Sequence, residues 1–137
     1  MRGWLHWAQA AAIVPTFVAV AVAGCATYGS SLARGQRAFE DGDLERSLAI
    51  FRVLEGDLDH LSLSERAQYA YLRGTVDFRM GYRTDARHWL ALSDALEVQT
   101  PGSLPAEWTE RLRSSLHDLD EEVFTSASGG DAKPDAD

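Results

Sequence analysis

The feature that most constrains the fold is a recurrence at an interval of 39 residues. Gly35 is followed by Gly74, Phe39 by Phe78, Gly42 by Gly81, and Phe51 by Leu90. In each copy a glycine sits within a helical stretch and an aromatic follows four positions later. A second glycine comes three after that, and a large apolar residue nine beyond it. Residues four apart share a helix face, so the first glycine and the aromatic mark one stripe. The second glycine suits a left-handed helix end. A helix, a tight turn and a second helix make an antiparallel hairpin, and the chain writes that hairpin twice.

The apolar spacing is helical from Ser30 to Phe124, and no strand alternation interrupts it. A first helix is expected from Ser31 to Glu40, broken by Asp41-Gly42-Asp43. Asp43 caps a second, with Leu44, Leu48, Phe51, Leu54 and Leu58 on one face, ended by Gly56-Asp57. Ser62 and Glu65 form a capping box that starts a third helix, about Leu63 to Met80. This helix carries two apolar stripes, which predicts neighbours on both sides. The close approach of one of them accounts for Gly74, a residue costing about 1 kcal/mol against alanine in a helix. Thr84 is expected to cap a fourth helix, with Ala86, Trp89, Leu90, Ser93 and Leu96 inward. Pro105 opens a fifth, with Trp108, Leu112, Leu116, Leu119 and Val123 on its single apolar stripe.

The repeated arrangement resembles the tetratricopeptide repeat, a helical hairpin with a period of about 34 residues. Its mid-helix glycine corresponds to Gly35 and Gly74, its turn glycine to Gly42 and Gly81, its small second-helix residue to Ser47 and Ala86, and its large one to Phe51 and Leu90. The longer period here is assigned to an inserted loop at residues 57–62, and the tryptophan and leucine that often open the motif are absent. The resemblance covers residues 28–98. It implies an all-α fold of antiparallel helix hairpins, two such repeats plus a C-terminal capping helix. The alternative is a plain helical bundle. The resemblance also implies a concave groove lined by the first helix of each repeat. Gln68, Tyr71, Thr75, Phe78 and Arg79 would line it from the second repeat, and Leu32, Gln36 and Phe39 from the first. Aromatic residues beside an arginine are frequent anchors at interfaces, although Tyr71 and Phe78 also suit a core.

The start of the chain carries a different signal. Arg2 precedes an uncharged apolar run, residues 10–24, which ends in Val22-Ala23-Gly24-Cys25. This resembles the lipobox of bacterial lipoproteins. That resemblance implies diacylglycerylation of Cys25, cleavage before it, and acylation of the new amino terminus. Residues 1–24 then form a signal peptide, 25–30 a tether, 31–124 the helical-repeat domain, and 125–137 a disordered acidic tail. Ala26 follows the cysteine where aspartate commonly retains lipoproteins in the inner membrane. The implied location is the outer membrane of a Gram-negative cell, with the domain facing the periplasm. The competing reading is an uncleaved membrane anchor, since the run from Gly3 to Ser31 is long enough to span.

Charge narrows the partners. The chain has 13 Lys and Arg against 21 Asp and Glu, a net charge of −8. This argues against nucleic acid, which selects basic surfaces. A single cysteine permits neither an internal disulfide nor a cysteine-cluster zinc site. His60, His88 and His117 fall in different elements without a second ligand at metal spacing. No glycine-flanked serine elbow or phosphate-cradling loop occurs, so neither a catalytic set nor a cofactor or metal is expected. Arg66, Arg73, Arg79, Arg83 and Arg87 form a basic cluster, either a receptor for an acidic partner segment or the counterpart of Asp77, Asp85 and the acidic carboxy end. The expected function is a non-catalytic adaptor that binds a protein or peptide in the envelope. The alternatives are a small-ligand-binding protein and a structural protein that self-associates.

Overall fold

The structure is a computed structural model that describes residues 20–128, and the side chains of 27–126. The described chain is all-α. Its helices are α1 (Val20–Glu40), α2 (Leu44–Leu54), α3 (Leu63–Met80), α4 (Arg83–Gln99) and α5 (Ala106–Ser128), with a 3-10 segment (Glu55–His60) between α2 and α3. Helix α1 pairs with α2 and α3 with α4; α2 packs on α3, and α5 closes the other side on α4.

The two hairpin turns match bond for bond. The Asp43 N–H donates to the Ala38 carbonyl at 2.9 Å, and the Tyr82 N–H to the Asp77 carbonyl at 2.8 Å. The Gly42 N–H reaches Phe39 at 3.0 Å, and the Gly81 N–H reaches Phe78 at 3.2 Å. The Ser47 and Ala86 amides donate at 2.9 Å to Asp43 and Tyr82. Gly42 and Gly81 have φ of 80° and 85°, a left-handed conformation that glycine adopts without steric cost.

The helical glycines act through space rather than conformation. A Cβ on Gly35 would lie 2.3 Å from the Phe51 ring. On Gly74 it would lie 2.7 Å from Leu90 Cγ and 2.9 Å from the Leu90 backbone nitrogen. Phe51 and Leu90 are wholly buried, as are Ser47 and Ala86 at the small-residue position. Each hairpin is therefore closed by the same large-on-glycine contact. Ser47 adds a bond the second hairpin lacks, its hydroxyl donating to the Gly35 carbonyl at 2.9 Å.

Helix α3 is the centre of the core. Its capping box is formed, with the Glu65 carboxylate accepting from the Ser62 amide at 2.9 Å. Ala67, Tyr69, Ala70, Tyr71, Leu72 and Val76 are buried along it, which accounts for its two stripes. Tyr69 lies edge-on to both Phe51 (5.6 Å) and Trp89 (5.4 Å), and so joins the two hairpins. Its hydroxyl donates to the Phe51 carbonyl at 2.9 Å, and burial pushes its pKa up to about 12. A proton held more tightly in the folded state contributes stability that is complete below the unfolded pKa of about 10 and is lost as the pH rises toward 12. Tyr69→Phe is expected to cost about 0.5–1.5 kcal/mol near neutrality, because the Phe51 carbonyl keeps the Glu55 amide as a donor. It is also expected to flatten the alkaline loss, as read from urea midpoints between pH 9 and 12.

Four boundaries differ from the sequence expectations. Helix α1 (Val20–Glu40) includes residues 25–30, which are helical instead of forming a tether. Tyr28 stacks on His60 at 4.6 Å, which gives this turn a packing partner. The inserted loop is largely 3-10 helix, and Leu61, just beyond it, is buried. Thr84 lies inside α4, whose N-cap is Tyr82 without a side-chain bond. Thr125–Ser128 prolong α5, with the Thr125 and Ser126 hydroxyls donating to the carbonyls one turn back at 2.8 Å. The signal-peptide residues 1–19 and the tail residues 129–137 lie outside the described residues.

Candidate functional site

The expected groove residues fall into two sets. Gln68 donates to the Ser103 carbonyl at 3.1 Å and ties down the loop between α4 and α5. Glu97 completes that tie, its carboxylate accepting from the amides of Gly102 and Leu104 at 2.8 Å each. Tyr71 is 3% exposed and stacks on Trp108 at 4.7 Å. It belongs to the core rather than to an open groove, a correction that follows from α5 covering it. Thr75 is half-buried and donates its hydroxyl back to the Tyr71 carbonyl at 2.8 Å.

Phe78 and Arg79 form a surface feature. The Arg79 guanidinium lies 4.5 Å from the centre of the Phe39 ring, and Arg83 lies 4.4 Å from that of Phe78. Phe39 and Phe78 hold equivalent positions in the two repeats, and both are half-buried. The result is a short row of arginine-covered aromatics along the carboxyl ends of α1 and α3. Cation–π contacts of this kind contribute about 0.5–1 kcal/mol when exposed. Arg79 is exposed and makes no ion pair within 4.0 Å among the described residues. Gln36 flanks Phe39 and reaches Glu40 at 2.8 Å.

The rest of the basic cluster pairs internally. Arg87 meets Asp120 at 2.8 Å and Arg83 meets Glu122 at 3.5 Å, clasping α4 to α5. Arg66 donates to the carbonyls of Leu61 and Asp59 at 3.0 Å. Arg73 is buried. It bonds to Asp77 at 2.9 Å and Glu55 at 2.8 Å, with Trp89 at 5.4 Å. Asp77 is fully buried and its Oδ1 has no partner. Burial raises its pKa, and the Arg73 charge partly offsets this. The network joins Glu55, at the end of the first hairpin, to the carboxyl half of α3 in the second, so it couples the two hairpins.

The histidines are dispersed. His60 stacks on Tyr28, His88 meets Trp89 edge-on at 5.0 Å, and His117 lies 3.4 Å from Glu121. Among the described residues no group of three His, Cys, Asp or Glu is placed to hold a metal ion, and no helix is long and apolar enough to cross a membrane. Cys25 lies in α1, one turn before the packed Tyr28.

Two of the surface clefts lie between paired helices. One, of about 560 Å³ between α4 and α5, is crossed by the Arg83–Glu122 and Arg87–Asp120 pairs. The other, of about 460 Å³ between α1 and α2, is mainly apolar and includes Tyr28, Ile50 and Val53. Compared with known proteins, the chain matches no family model, no curated protein and no solved structure.

Proposed function

We propose that the chain is a lipid-anchored adaptor of tetratricopeptide-like build. Cys25 carries the lipid, the domain faces the periplasm from the outer membrane, and the α1–α3 side binds a protein segment without catalysis. The observation that carries this reading is the row formed by Phe39, Arg79, Phe78 and Arg83. Its aromatics are only half-buried, and Arg79 has no acidic partner within 4.0 Å among the described residues to displace. A partner segment with an acidic or aromatic side chain can take the place of water there. Central aromatic and arginine positions are the residue types that dominate interface energies. The lipobox, from the sequence, supports the envelope location.

A photo-crosslinking residue at Phe39 in the full-length protein, expressed in its bacterial host, tests the binding side. The expected result is a discrete adduct that is absent with the same residue at exposed Val98 and falls about tenfold with Arg79→Glu, a change of about 1.4 kcal/mol. No adduct at Phe39, or an equal adduct at Val98, would overturn the assignment.

A further inference from the structure

We propose that the cleft between α1 and α2 is the face on which the domain lies against an anionic bilayer. The inference rests on the lipid-anchor reading and adds an orientation to it. Helix α1 is continuous from Val20 to Glu40, so Cys25 is joined to the domain by helix instead of a swinging tether. Three positions separate Cys25 from Tyr28, about 4.5 Å of helix rise. Tyr28 lines one end of the cleft and is fastened to the 3-10 segment by its stack on His60. A lipid on Cys25 therefore brings the Tyr28 side of the cleft close to the membrane interface.

The lining suits that placement. Ile50, Val53 and Leu54 offer an apolar floor, and Val53 is 79% exposed although it is a large aliphatic residue. Arg34 and Arg46 flank it. Arg34 donates to the Ser31 hydroxyl at 2.9 Å, and neither arginine has an acidic partner within 4.0 Å among the described residues. In a chain of net charge −8, two unpaired arginines beside an exposed apolar strip match phosphate headgroups above an acyl region. Asp57 is the carboxylate of the lining and opposes binding. A second copy docked cleft to cleft would meet the same arginines with its own, a repulsion that an anionic bilayer does not bring.

The test uses full-length protein purified from membranes and reconstituted in vesicles of three parts phosphatidylethanolamine to one part phosphatidylglycerol, with brominated acyl chains as quencher. A fluorophore is placed on Val53→Cys, or on Tyr82→Cys at the opposite end of the bundle. Quenching at position 53 is expected to exceed that at position 82 by at least about threefold and to fall when Arg34→Glu and Arg46→Glu are added. Equal or absent quenching, in protein whose intact mass shows the lipid on Cys25, would overturn the orientation while leaving the anchor intact. Crosslinking of two copies through position 53 would assign the cleft to self-association and overturn the proposal. A mass without lipid would remove the anchor, and the proposal with it.

Discussion

Replacing Arg73 with methionine is expected to lower the unfolding free energy by about 3–5 kcal/mol, the loss typical of breaking a buried ion pair from one side. The cost falls on Asp77. Glu55 is about half exposed and can turn its carboxylate to water, whereas Asp77 is fully buried. Its Oδ2 would lose Arg73 Nε, and its Oδ1 already lacks a partner. The side chain must then remain as an unpaired buried charge or take up a proton. The pH dependence follows from the direction of the shift. Asp77 holds its proton more tightly folded than unfolded. Its contribution is therefore present below the unfolded pKa and lost as the pH rises through the folded one. Removing Arg73 raises the folded pKa further, so the gap to the parent protein should narrow as the pH is lowered from about 7 to about 4. Urea unfolding at the two pH values measures it. Replacing both residues, Arg73→Met with Asp77→Leu, should recover most of the loss, since paired apolar substitutes for a buried ion pair are often neutral or better. The effect matters for function because Arg73 links the end of the first hairpin to the second, and a stack of repeats is held by such neighbour interfaces.

The hairpins were legible in the sequence because their determinants are local. A capping box is two residues three apart, and a turn glycine reports a backbone conformation. The 39-residue recurrence marked Gly35, Phe51, Gly74 and Leu90 as equivalent positions, and Gly74 was read as the site of a close helix approach; that Phe51 and Leu90 are the residues that fill these gaps came from the structure. The pairing of Arg73 with Asp77 was one of the two readings of the basic cluster, but its burial was not legible. An arginine and an aspartate four apart read as a solvated helix face, and only α4 and the end of α2 make that face interior. Tyr71 failed as a groove residue for the same reason: Trp108 covers it from an element 37 positions away. The arginine-covered row was half legible. Phe39, Phe78 and Arg79 stood out by repeat position, but the pairing of Arg79 with Phe39 depends on how α1 lies against α3. Helix α1 was read short because the lipobox resemblance made residues 25–30 a tether, whereas the stack of Tyr28 on His60 packs this turn against the 3-10 segment.

The second large effect concerns Cys25. Each buried methylene contributes about 0.8 kcal/mol to membrane binding, so one acyl chain binds marginally and two or more make release negligible. Without the lipid, the proposed contact of the α1–α2 cleft with the bilayer is too little for stable attachment of an acidic domain. Cys25→Ser is therefore expected to move the protein wholly out of the lipid-modified pool. It either leaves the membrane fraction or remains there as an uncleaved precursor. The measurement that tests the central claim most directly is the intact mass of the protein from the membrane fraction, taken beside that of Cys25→Ser. A chain that begins at residue 25 and carries the added mass of acyl groups, both lost in the variant, is the result predicted. An unmodified full-length mass in both would contradict it and make the first segment a retained helix.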